Sequence, residues 1–94
     1  MGKKSKPSSI EICGHTVKIL WHKVKPGEEV ENWGMFLPDK DEIHLIDWPE
    51  WPRILLHECL HCVLHYSGHN NGLKNEEAIV TALEYGLAPL VRFR

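Results

Sequence analysis

The chain has 94 residues, of which 43% are hydrophobic and 26% are charged. This length suits one small domain with a single, thin hydrophobic core, which we expect over residues 10–94. The formal net charge of −2 argues against a domain that binds nucleic-acid phosphates or an anionic membrane surface. No stretch approaches the roughly 18 apolar residues that span a bilayer.

The first nine residues contain the only basic run of the chain, MGKKSK, followed by a proline and two serines. This composition predicts a disordered basic arm over residues 1–9, and the arm lacks the apolar segment of a signal peptide. The three cysteines, Cys13, Cys59 and Cys62, are odd in number, and the last two lie on one predicted helix. We therefore expect a reducing, cytoplasmic compartment rather than a disulfide scaffold.

Two stretches in the N-terminal half show the period-two alternation of strands. The first, SIEICGHTVKILWHKV, predicts a short strand over 10–13, a tight turn at Gly14 and a longer strand after it. The second, WGMFLPDKDEIHLI, predicts a hairpin whose loop is 38–41. On one face of this hairpin we expect Trp33, Met35 and Leu37, across from Ile43 and Leu45. The result would be a small antiparallel sheet of about three or four strands.

The C-terminal half changes to helical periodicity. Pro52 suits the first turn of a helix and Gly68 its end. The helix between them is apolar nearly all round, so we expect it to be central and buried. A second, amphipathic helix is predicted over 73–93. The fold class is therefore α+β, a small sheet followed by two helices.

The buried helix carries the sequence HExxH, formed by His57, Glu58 and His61. Histidines at positions i and i+4 project from one helix face, close enough for two nitrogens to bind one tetrahedral zinc ion. Glu58 is rotated off this stripe, so it would reach a water on the metal rather than the metal itself. Burying these polar side chains without a ligand would be costly. The pattern predicts a site for one Zn²⁺ ion with Glu58 as the catalytic base.

A catalytic zinc site needs a third protein ligand and one open position. On the second helix, Glu76 heads the apolar stripe expected to face the core, whereas Glu77 shares the opposite face with Glu84. We therefore choose Glu76 as the third ligand, in a His, His, Glu site like that of the thermolysin type, and keep Glu77 as the alternative.

Two further histidines follow the motif. His65 lies two helical turns beyond His57, a distance along the axis that makes it a poor co-ligand of the same metal ion, but it is able to hydrogen-bond a residue that orients a ligand or to contact the substrate. His69 falls in a predicted loop, where most histidines are simply solvated. Cys59 and Cys62 are on the back of the histidine stripe, and we expect them to be small buried hydrophobic residues.

Three stretches of the chain resemble a known group of proteins. They are LLHECLHCVLH, the following NEEAIVTALEYGLAPLV and the preceding hairpin GMFLPDKDEIHL. Together, over roughly residues 10–92, they look like the small HExxH proteins of phages and prophages, which are similar to ImmA/IrrE-like zinc peptidases and minimal gluzincins. The resemblance implies a short antiparallel sheet packed on an active-site helix and a glutamate-bearing helix, with zinc-dependent endopeptidase activity. The chain departs from that pattern in having NEEA after a shorter gap.

The function expected from this reading is hydrolysis of a peptide bond in a peptide or protein substrate. We expect an edge strand over 42–46 to pair with an extended substrate. The alternative is a non-catalytic, zinc-stabilised interaction module, for example a phage accessory protein. In that case His65 or Glu77 would close the fourth position on the metal.

Overall fold

The computed structural model describes residues 6–25, 27–68 and 74–93 of the chain. It has a four-stranded sheet followed by two helices, which confirms the predicted α+β class. Neither helix is long and apolar enough to cross a bilayer, among the residues described. The elements are β1 (Ser9–Ile12), β2 (His15–His22), β3 (Gly34–Leu37), β4 (Glu42–Ile46), α1 (Trp51–Tyr66) and α2 (Glu76–Leu87), with a 3₁₀ turn at Pro38–Lys40 between β3 and β4.

The sheet is mixed rather than antiparallel throughout, with strand order β1-β2-β4-β3. The two hairpins, β1–β2 and β3–β4, are antiparallel, but β2 and β4 are parallel neighbours. This happens because the chain crosses to the far edge after β2, forms β3 there and returns with β4 beside β2. The prediction that residues 42–46 form an edge strand is therefore wrong, since β4 is paired on both sides and β3 is the edge.

The face of β3 that packs on α1 also differs from the prediction. Phe36 is directly opposite Ile43 in the hairpin and packs against the core, whereas Met35 lies opposite His44 and is 45% exposed. Gly34 shares the face of Phe36, and a Cβ atom there would lie 2.7 Å from Ile54 Cγ2. The absence of a side chain at Gly34 is what allows α1 to approach the edge strand this closely.

The core lies between the inner face of the sheet and α1. Alternate residues of β2 and β4 point at the helix, which presents its most apolar side to them. The helix begins with Pro52 in its first turn and is followed by Gly68 at φ +103, as the sequence predicts. The largest fully buried side chains are Val17, Ile43, Leu45, Leu55, Cys62 and Val80.

The second helix is shorter than the predicted 73–93 and ends at Leu87. It packs mainly on α1. At the other terminus, Lys6 pairs with Asp47 and Pro7 accepts a hydrogen bond of 2.9 Å from Trp21 Nε1. Residues 6–9 of the predicted disordered arm are thus in contact with the sheet, and the ordered domain begins before residue 10. Residues 1–5 lie outside the described part of the chain.

Candidate metal centre

Helix α1 places the two histidines of HExxH one turn apart, on the side that faces α2. Both side chains are about four-fifths buried. Their Nε2 atoms are 3.3 Å apart, and the ring centroids are 5.0 Å apart at an interplanar angle of 66°. The separation of the two Nε2 atoms equals the roughly 3.3 Å between two ligand atoms on one tetrahedral zinc ion with bonds of about 2.0–2.1 Å. His57 and His61 therefore have the mutual geometry of two ligands of one ion.

Glu77, from the first turn of α2, faces both of these nitrogens. Its Oε1 is 2.6 Å from His57 Nε2 and its Oε2 is 3.1 Å from His61 Nε2. One ligand atom from each of the three residues lies within 4.8 Å of the others. Two ligand atoms on one tetrahedral zinc are about 3.3 Å apart, and the Glu77 side chain, 69% exposed, has room for that small adjustment. His57, His61 and Glu77 fit a metal ion.

The other nitrogen of each histidine is also bound by a carboxylate from α2. Glu84 Oε1 is 2.7 Å from His57 Nδ1, and Glu76 Oε2 is 2.6 Å from His61 Nδ1. Arg53 Nε donates to the second oxygen of Glu84 at 2.6 Å. Because a carboxylate only accepts, both Nδ1 atoms must carry a proton. This fixes the tautomer in which Nε2 is the metal-binding atom, the usual arrangement around zinc-bound histidines.

Each imidazole therefore has a carboxylate at both of its nitrogens. A neutral imidazole can donate from only one of them, so each Nε2 needs a positive charge beside it, either a second proton or a metal ion. The pKa of His57 is accordingly raised: desolvation alone would lower it, but the hydrogen bonds that the ring donates to Glu84 and Glu77 outweigh that effect. The pKa of Glu84 is lowered, because His57 and Arg53 outweigh the effect of its burial.

The structure brings Glu77, the alternative third ligand, rather than Glu76 against both Nε2 atoms. The choice of Glu76 as the third ligand assumes that the apolar stripe of α2 faces the core, which would turn Glu77 to solvent. Instead Ile79 and Leu83 on that stripe are 39% and 42% exposed, and the helix face against α1 includes both glutamates. Glu76 contacts the far nitrogen of His61 and is placed to orient the ring.

Sequence reasoning missed Glu84 and Arg53. Glu84 follows Glu77 by seven residues, two helical turns, which places both on one face of α2. That spacing would have identified Glu84 once Glu77 was placed at the metal. Arg53 precedes His57 by four residues on α1, so it lies on the same face one turn earlier.

Glu58 points to a different wall of the site from the α2 glutamates. It is the one buried charged residue of the described chain, 8% exposed, and its Cγ lies close to Gly34 of the edge strand. Burial raises the pKa of its carboxyl, partly offset by the two histidines and by the backbone N–H of Phe36. A carboxylate held beside, but outside, the ligand cluster is suited to exchanging protons with a group on the metal.

The site opens into a cleft of about 700 Å³. Its floor is α1, and its walls are the edge strand β3 on one side and the glutamates of α2 on the other. His65 lines this cleft and meets Phe36 edge-on, with centroids 5.6 Å apart, and it is not among the three ligand groups. His69 lies outside the described residues. Cys59 and Cys62 are free and buried in the core, as expected.

Comparison of the chain with protein-family models, curated proteins and solved structures gave no match.

Proposed function

We propose that the protein is a zinc-dependent peptidase that hydrolyses peptide bonds. The observation that supports this proposal most strongly is the number of candidate metal ligands. Among the described residues the cluster contains three, His57, His61 and Glu77. Closed structural zinc sites have four protein ligands, whereas catalytic sites have three and an open position. An open cleft of about 700 Å³ leads to this cluster. The His65 ring packs against Phe36 and is not part of the cluster.

The residues around the ligands supply the proton chemistry. A bound zinc ion would lower the pKa of a coordinated water towards about 7 and polarise the substrate carbonyl. Glu58 accepts the proton of the attacking water and returns it to the leaving amine. Its position between the histidines and β3 supports this role, because the substrate would lie between the same two walls. Glu76 and Glu84 hold the two imidazoles in the metal-binding tautomer.

The edge strand β3 is the element that supports binding of an extended peptide. Ile46 N donates to Trp33 O across the hairpin, so Trp33 and Met35 belong to hydrogen-bonded pairs and the polar backbone groups of Gly34 and Phe36 point away from β4. These groups face the cleft beside Glu58. The N–H of Phe36 is bonded to Glu58, so a substrate strand can pair with the N–H and C=O of Gly34 and with the C=O of Phe36. Such backbone pairing selects extended peptide or protein segments.

Glu58→Gln tests this proposal. The amide keeps the size of the side chain but cannot act as a base, so zinc binding should persist while cleavage of a peptide library falls about 10²–10⁴-fold. The matched control is Glu29→Gln, an exposed glutamate that is not among the residues lining the cleft, which should cleave normally. Cleavage must also stop with a chelator. Retained activity in Glu58→Gln would reject the role of Glu58, and zinc binding without any cleavage by the parent protein would favour the interaction module.

The proposal also covers the group of proteins that the chain resembles and the cellular compartment in which it works. The HExxH helix, the glutamate-bearing helix and the preceding hairpin support placing the protein with the small phage and prophage metallopeptidases that resemble ImmA/IrrE-like and gluzincin enzymes. Its three cysteines are unpaired, which fits a reducing, cytoplasmic setting.

A further inference from the structure

Helix α2 contributes a single fully buried side chain to the interior of the protein. Val80 is its single buried residue, and no α2 side chain belongs to the cluster formed by the sheet and α1. Ile79, Leu83 and Tyr85 are 39%, 42% and 77% exposed. A helix of 12 residues is marginal by itself in water and depends on tertiary contacts. Apolar packing therefore accounts for little of what holds α2 in place.

The polar contacts between α2 and α1 converge on the two histidines. Glu76 and Glu84 bind the two Nδ1 atoms at 2.6 and 2.7 Å, and Glu77 faces both Nε2 atoms. Only Arg53 on α1 adds a permanent positive charge, through Glu84. These are the side chain–side chain hydrogen bonds and ion pairs that join the two helices among the described residues.

The charges in this interface do not balance without a further cation. Four carboxylates, those of Glu58 and of the three α2 glutamates, surround two histidines and one arginine. If the histidines are neutral, the interface carries three negative charges in excess, and Glu77 opposes two nitrogen lone pairs. A divalent ion bound to the Nε2 atoms and Glu77 would reduce this excess to one negative charge and remove the repulsion between Glu77 and the nitrogen lone pairs. It would also strengthen the Nδ1–H donors to Glu76 and Glu84.

We infer that Glu76 and Glu84 are positioning residues of the metal centre and that, with Glu77, they make α2 a metal-dependent latch, which docks on α1 when the two histidines share a divalent cation. This inference rests on the metal centre of the proposed function but not on its hydrolytic activity. Loss of the ion would release α2 and remove one wall of the cleft, while the core formed by the sheet and α1 stays folded.

Hydrogen exchange of the full chain, followed by mass spectrometry with saturating Zn²⁺ and after dialysis against a chelator, tests the latch. Amides of α2 should exchange at least about tenfold faster without zinc, as expected when a helix undocks. Amides of β2 in the core serve as the internal reference and should remain protected without zinc. Equal exchange of α2 in both states overturns the latch, as does loss of protection in β2 together with α2, which would mean that the whole domain unfolds without the metal.

Substitutions at Glu84 test the positioning role. Glu84→Ala should weaken zinc binding about 10–100-fold, and Glu84→Gln, which keeps an acceptor for Nδ1–H, should weaken it less. The ¹⁵N resonance of His57 Nδ1 in the zinc-bound protein should shift in both variants, a change that a purely structural residue would not produce. Glu29→Gln is the control and should leave affinity and resonance unaltered. Unchanged affinity and an unshifted resonance in Glu84→Ala would overturn the role.

The outcomes separate the latch from the peptidase. A protein that binds zinc and protects α2, but cleaves no peptide, refutes the proposed function and supports the latch. A protein that cleaves peptides in a zinc-dependent way, while α2 exchanges equally with and without zinc, refutes only the latch.

Discussion

Two histidine pairs in this protein differ in what they can bind, although both bring ring nitrogens together. The Nε2 atoms of His57 and His61 are 3.3 Å apart, with their rings inclined at 66°, and this separation suits two ligands of one tetrahedral ion. His22 Nε2 and His44 Nδ1 are 2.8 Å apart, but their rings are nearly coplanar, with centroids 5.0 Å apart, so the nitrogens point head-on at each other. Glu42 accepts from the other nitrogen of His44, which leaves Nδ1 to accept from His22. That pair is a hydrogen bond and not a ligand set.

The three cysteines differ in exposure and should therefore differ in reactivity. Cys13 is exposed in the turn between β1 and β2, whereas Cys59 and Cys62 are buried in the core. Desolvation raises the pKa of Cys59 to about 12 and also raises that of Cys62. An alkylating reagent at pH 8 should therefore modify one thiol in the native protein and three after unfolding, as counted by mass spectrometry. Rapid modification of two or three native thiols would contradict this burial.

Single elements were largely predictable from the sequence, but their rotation and register were not. The HExxH geometry is local to α1, so His57, Glu58 and His61 could be identified from spacing alone. The choice between Glu76 and Glu77 depends on how α2 rotates about its axis, by about 100° per residue. Its apolar residues surround the helix too widely to fix that rotation. On β3, both alternating faces are apolar, and only the close approach at Gly34 decides which one is buried.

Gly34 gives the clearest prediction about packing between elements. A Cβ atom there would lie 2.7 Å from Ile54 Cγ2 and 3.0 Å from Leu45 Cδ2, so Gly34→Ala should destabilise the fold by about 1–3 kcal/mol. Gly86, inside α2, has no atom within 4 Å of the same position. Gly86→Ala should instead stabilise by about 0.5–1 kcal/mol. Urea unfolding followed by tryptophan fluorescence measures the change in unfolding free energy for each variant. A stabilising Gly34→Ala would refute the close packing of β3 on α1.

Tyr66 joins the C-terminal end of α1 to the hairpin, because its hydroxyl donates to Asp41. Tyr66→Phe should cost about 1 kcal/mol at pH 7. Burial and the hydrogen bond to Asp41 raise the pKa of Tyr66, so the folded state holds this proton more tightly than the unfolded chain. The contribution is thus complete below about pH 10 and is lost as the pH rises further. The difference in unfolding free energy between the parent protein and Tyr66→Phe should be smaller at pH 10.5 than at pH 7. An unchanged difference would contradict the raised pKa of Tyr66.

At the scale of the whole molecule, the path of the chain was not predictable from its elements. Local alternation identifies two hairpins, but it does not say which strand of the second hairpin lies beside β2. The answer, β4, makes the sheet mixed and leaves β3 as the edge next to the HExxH helix. This arrangement brings an edge strand, a helix with two histidines and a helix with three glutamates around one cleft. Each wall comes from a different part of the chain, so no local pattern contains the site.

Because the proposed metal centre would join parts of the chain that are distant in sequence, zinc should raise the free energy of global unfolding. An ion that binds only the native state at a free concentration 100 times its Kd contributes about 2.7 kcal/mol, which for a domain of this size raises the Tm by about 10–20 °C. Thermal unfolding followed by circular dichroism, with and without Zn²⁺, measures the shift. Mg²⁺, which prefers oxygen ligands, should have no such effect, and the shift should vanish in His61→Ala. A zinc-induced rise of equal size in that variant would place the ion elsewhere and reject the site formed by His57, His61 and Glu77.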